Sequence, residues 1–95
     1  MRKYGKLGRR DANEGPIIEG LRAFGCSVKQ CHDFDAVVGY RGKNVILEIK
    51  DPSKPPSKRK LTPDQEVFKA TWKGQYAVIH TLDEAIKAVI AATVI

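Results

Sequence analysis

Glu48-Ile49-Lys50 closes an apolar, β-branched run and stands just ahead of a basic, proline-rich stretch. On a strand, the period of two puts Glu48 and Lys50 on one face and Ile49 on the other. A carboxylate and an ammonium facing the same way are half of a metal-dependent phosphodiesterase site. The other half is a second carboxylate, and Asp35 is the candidate. Two carboxylates are oxygen ligands suited to Mg²⁺ or Mn²⁺, cations that keep several waters and pair readily with phosphates. Such a metal lowers the pKa of a bound water, and Lys50 can position the nucleophile or stabilise developing negative charge.

The elements that must position these groups are two strands and a turn. Residues 45–50 and 34–40 both read as strands, and Arg41-Gly42 between them supplies a glycine able to take positive φ, so a β-hairpin is expected. With a two-residue loop, Tyr40 faces Lys43 and Asp35 lands opposite Glu48. Directly opposed like charges, with Cβ atoms roughly 5 Å apart, repel each other, and a divalent cation would compensate. Asp33 would share the strand face of Asp35, so either is a candidate ligand. Asp35 is preferred for its register with Glu48 and the apolar Ala36-Val37-Val38 that follows.

Around the hairpin, Ile17, Ile18, Leu21 and Phe24 recur at helical spacing, which predicts a helix over residues 14–24 ended by Gly25. Glu14 then opens the face that packs on the sheet, where it can reach the hairpin or simply favour the helix N-terminal dipole. Residues 27–32 are a polar candidate strand. Residues 51–61 hold three prolines with Ser and Lys and predict a loop without regular structure. Thr62-Pro63-Asp64-Gln65 opens a second helix as N-cap, first-position proline and capping-box glutamine. Gln65 therefore has a capping role, and a second one if its amide orients Lys50 or a water. Val67, Phe68 and Trp72 give that helix an apolar side. Residues 76–80 read as a strand, and Thr81-Leu82-Asp83-Glu84 repeats the capping pattern before an apolar helix over 85–95 with more apolar residues than one sheet face needs. That excess marks a candidate partner surface.

The chain of 95 residues suits a single domain. Seventeen Lys and Arg against eleven Asp and Glu give a net charge of +6, which favours a polyanionic partner such as nucleic acid. The charge is clustered. Residues 1–10 form a basic arm containing Arg9 and Arg10, and Lys54, Lys58, Arg59 and Lys60 crowd the loop after Lys50, where they can clamp a DNA backbone. The spacing of Cys26, Cys31, His32 and His80 matches no common zinc pattern, and two thiols fit a reducing compartment as small apolar residues. With no apolar stretch of membrane-spanning length and no signal-peptide core, an intracellular, cytoplasmic protein is expected.

Taken in order, Glu14, Asp35, Glu48-Ile49-Lys50, Leu61-Thr62-Pro63-Asp64-Gln65 and Leu82-Asp83-Glu84-Ala85 resemble the VRR-NUC branch of the PD-(D/E)XK nuclease superfamily, over about residues 14 to 86. The resemblance implies an α/β, restriction-endonuclease-like fold, a small mixed sheet flanked by helices in the order α-β-β-β-α-β-α. It also implies Asp35, Glu48 and the Ile49 carbonyl as metal ligands, Lys50 as the active-site lysine, and Gln65 and Glu14 completing the site. Two departures are Phe34, where a proline often precedes the motif aspartate, and Gly15-Pro16 at the opening of the first helix. Neither removes a chemical group. Short stand-alone members resemble virus-encoded Holliday junction resolvases, acting as homodimers in the cytoplasm of a bacterial host. The expectation is thus a Mg²⁺- or Mn²⁺-dependent endonuclease of branched DNA, with a less structure-selective nicking or repair nuclease, or a non-catalytic basic DNA-binding module, as the alternatives.

Overall fold

At the hairpin turn Arg41 and Gly42 both take positive φ, 52° and 79°. This is the primed two-residue turn whose twist matches that of the flanking strands. In the computed structural model, which describes residues 12–94, it joins β2 (Ala36–Tyr40) to β3 (Lys43–Ile49), with Tyr40 opposite Lys43 and Ala36 opposite Leu47. The expected register holds. Asp35 falls one residue before β2 and Lys50 one residue after β3, so both strands are offset slightly from the ranges read in the sequence.

Before the hairpin come α1 (Glu14–Phe24) and β1 (Ser27–Gln30), shorter than the 27–32 expected. Gly25, at φ 113°, ends α1 in the left-handed conformation, and its N–H meets the carbonyls of Leu21 and Arg22. After the hairpin come α2 (Pro56–Arg59), α3 (Pro63–Thr71), β4 (Tyr76–Ile79) and α4 (Leu82–Ala92). The short α2 corrects the expectation of a wholly irregular 51–61 segment. Pro55 and Pro56 preset φ for a first turn, and Lys58 N–H closes it on the Pro55 carbonyl at 2.8 Å.

The four strands lie in the order β1-β2-β3-β4, antiparallel except for the parallel β3–β4 pair. The domain is α/β, a mixed sheet flanked by helices. Ile17 and Leu21 of α1, with Ala85, Val89 and Ala92 of α4, pack against Val38, Val45, Leu47, Ile49 and Ile79 on one sheet face. Part of the apolar excess of α4 is therefore core, while Ile90 and Val94 remain exposed.

The opposite face is different. Residues 45 to 49 are all buried, so β3 is covered on both sides, with Val45, Leu47 and Ile49 facing one cover and Ile46 and Glu48 the other. The second cover is α3, none of whose residues is fully buried. It is anchored by Phe68, whose ring lies 5.0 Å from Trp72, 5.5 Å from Tyr76 and 5.8 Å from Phe34. Val67, expected on this apolar side, is instead exposed, because the sheet-facing positions are 65, 68 and 72, spaced three and four apart. No helix among the described residues is long and apolar enough to cross a membrane.

Candidate active site

Glu48 is fully buried on the α3 side of β3. An isolated carboxylate there would be costly, and one partner is the amide of Gln65, whose Nε2 donates to Glu48 Oε1 at 3.0 Å. The same amide accepts at Oε1 from Lys50 Nζ at 2.8 Å and from Thr62 N–H at 3.0 Å. Thr62 Oγ1 in turn accepts from Gln65 N–H at 3.2 Å, which completes the capping box. The two roles foreseen for Gln65 are one arrangement. Two donors converge on its oxygen and one carboxylate on its nitrogen, so capping fixes the amide plane that holds Lys50 beside Glu48.

Asp35 lies one residue before the last paired position of the hairpin, Ala36 opposite Leu47, and its Oδ2 accepts from Ile49 N–H at 2.6 Å. In an antiparallel pair a residue's N–H and C=O project toward the same neighbour, which directs the Ile49 carbonyl toward the Asp35 side. The electrostatics of Tyr76 report the same clustering. Its phenol is pushed up to about 12, first by burial and then by the negative charges of Glu48, Asp35 and Glu66. Its hydroxyl is buried and has no hydrogen-bond partner among the described residues.

Glu14 is almost fully buried, and Gln30 Nε2 on β1 donates to its Oε2 at 3.0 Å. Among the described residues no three His, Cys, Asp or Glu side chains form a group able to hold a metal ion. The candidate donor set is therefore the pair Asp35 and Glu48 with the Ile49 carbonyl, all hard oxygen ligands. A set this small fits a cation that retains several waters, as Mg²⁺ does, and fits poorly to zinc. Asp33 is exposed and lies with His32, Thr62, Asp64, Gln65 and Phe68 around a cleft of about 520 Å³ next to this site.

The basic segment that follows is pinned at both ends, because the Lys50–Gln65 bond closes the chain across it. Its first turn is set by Asp51 Oδ1, which accepts from Ser53 Oγ at 2.7 Å and Ser53 N–H at 2.9 Å. These two bonds hold the Asp51 carboxyl below its usual range. Lys54, Lys58 and Lys60 are exposed and Arg59 is half-buried. Arg9, Arg10 and the rest of the 1–10 arm lie outside the described residues.

Two residues with structural ties to the site were not singled out from the sequence. Asn13 precedes α1, where Asn ordinarily caps its own helix, yet it makes no side-chain cap bond. Its Nδ2 instead donates to the carbonyls of Lys50, at 3.1 Å, and His80, at 3.0 Å, tying the ends of β3 and β4 together. Tyr76 is placed by the parallel register of β4 beside Ile46, which no local pattern encodes. At α4, Thr81 caps as expected, but Glu84 turns to His80 N–H at 2.7 Å and to its Nδ1 at 3.1 Å instead of completing the box. Those bonds lower the Glu84 pKa. No protein-family model matches the chain, and no curated protein or solved structure matches it.

Proposed function

We propose that the protein is a Mg²⁺- or Mn²⁺-dependent endonuclease that hydrolyses phosphodiester bonds in branched DNA, four-way junctions in particular. The observation that carries this reading is the Gln65 amide bridging Lys50 to the buried Glu48, with Asp35 bonded to the N–H of Ile49 between them. A structural glutamine needs only its capping bonds. Here it also presents an ammonium beside a carboxylate, which is the arrangement a phosphoryl-transfer site requires.

Asp35, Glu48 and the Ile49 carbonyl would hold the cation, which when bound supplies an activated water and offsets phosphate charge. Lys50 contributes a positive charge to the oxygens on which negative charge develops, and Gln65 keeps Nζ from swinging into solvent. Lys54, Lys58, Arg59 and Lys60 contact the backbone on either side, without reading bases. The similarity of this residue order to VRR-NUC nucleases supports the same reading. Exposed Ile90 and Val94 on and just after α4 offer a surface for a homodimer, whose two sites would match the symmetry of a four-way junction. The implied place of action is inside the cell, a bacterial cytoplasm if the chain is virus-encoded.

The test is cleavage of a labelled four-way junction beside duplex, flap and single-stranded DNA of matched sequence, in Mg²⁺, Mn²⁺ or EDTA. Metal-dependent, paired cuts confined to the junction are expected. No cleavage of any form with either metal overturns the proposal, and equal cleavage of all forms removes its junction selectivity.

A further inference from the structure

The sheet face that carries Glu48 and Asp35 continues beyond them. Two residues back along β3 is Ile46, and two residues on along β2 is its cross-strand partner Val37. These side chains floor a groove of about 440 Å³ that is also lined by Lys43, Asn44, Trp72 and Gln75. One wall is flat. The Trp72 indole stacks on Phe68 at 5.0 Å between centroids and 20° between planes, yet the residue remains 46% exposed. Phe68 is itself wedged against Phe34 and Tyr76, so the wall is backed by a packed cluster.

Gly74 lets the indole lie there, since a Cβ at that position would sit 2.8 Å from Trp72 Nε1. Gln75 Nε2 donates to the Asn44 carbonyl at 2.7 Å and sets the polar end of the groove. An aromatic wall, an apolar floor and amide groups at the edge match a ligand that is planar and polar at its edges.

We infer that this groove takes an unpaired nucleobase of a DNA strand, stacked on Trp72. The choice of DNA rests on the nuclease reading and on the net charge of +6. The groove adjoins the carboxylate pair on one sheet face, so a base held in it places a neighbouring phosphate at Glu48 and Asp35. Flapped, gapped or locally opened DNA offers unpaired bases, whereas uninterrupted duplex does not.

Trp72 is the chain's single tryptophan, so its fluorescence reports on this groove alone. The full-length protein in EDTA is titrated with a short oligothymidylate, with an abasic strand of equal length and with a fully paired duplex. The thymidylate is expected to quench Trp72 while the abasic strand and the duplex do not. By anisotropy of a labelled thymidylate, Trp72→Ala binds about tenfold more weakly and Trp72→Phe within a few-fold of the parent. Equal quenching by the abasic strand, or none by the thymidylate, overturns the inference. Because EDTA removes metal, quenching without junction cleavage in the metal assay retains the groove and refutes the nuclease, and cleavage without quenching does the reverse.

Discussion

On one side of β3, Val45, Leu47 and Ile49 join an apolar cluster sealed by α1 and α4, while on the other Ile46 and the fully buried Glu48 lie under α3, which buries none of its own residues. The same short strand thus serves two ends. The first face contributes most of the burial that stabilises the domain. The second spends burial on a carboxylate, bonds it to a glutamine of α3, and leaves a groove open beside it. Burying charge is poorly suited to stability and well suited to a preorganised site.

The sharpest way to break this contrast is to exchange adjacent residues of β3. Leu47→Ala should cost about 2–5 kcal/mol of stability in urea denaturation and leave the specific activity of the folded fraction unchanged. Glu48→Gln should leave stability within about 1 kcal/mol and reduce metal-dependent cleavage by about 100-fold or more. If both substitutions act mainly on stability, the two faces do not differ in role.

Gln65 belongs to both categories, so Gln65→Ala should show both effects at smaller size. About 1–2 kcal/mol of stability goes with the capping box, and cleavage falls by about tenfold with the loosened Lys50. Asn13→Ala tests the tie between the ends of β3 and β4. A loss of about 1–2 kcal/mol is expected from the two carbonyls left without their donor, read from the same urea curves.

Tyr76→Phe should be the mildest change, raising stability by up to about 1 kcal/mol because the buried hydroxyl has no partner among the described residues. The alkaline limb gives the sign. A phenol raised to about 12 from its ordinary value of 10.0 favours the fold while neutral, so its contribution is full below pH 10.0 and is lost as pH climbs through about 12. Ultraviolet titration should show that ionisation step disappear in Tyr76→Phe.

The hairpin was legible in the sequence because its signals are local: a two-residue turn with glycine, β-branched flanks, and a register that follows from loop length alone. The helix over 14–24 and the capping box at Thr62 were legible for the same reason. What depends on distant parts of the chain was not. The packing of α3 over β3 joined two candidate roles of Gln65 into one geometry, and the parallel placement of β4 put Tyr76 near the carboxylates. The bond from Gln30 of β1 to the buried Glu14 is likewise one that periodicity in α1 could not reveal. The turn of helix in the proline-rich segment was missed because proline reads as a breaker, although at a first turn it initiates.

The central claim is that Lys50, held by Gln65, acts in chemistry and not in binding. The measurement that tests it most directly follows binding and cleavage of one labelled four-way junction side by side, with Mn²⁺, for the parent protein and Lys50→Ala. The account predicts binding within about threefold and cleavage slowed by about 100-fold or more in the variant. Cleavage at the parent rate, or a loss of binding that accounts for all the lost cleavage, would contradict it.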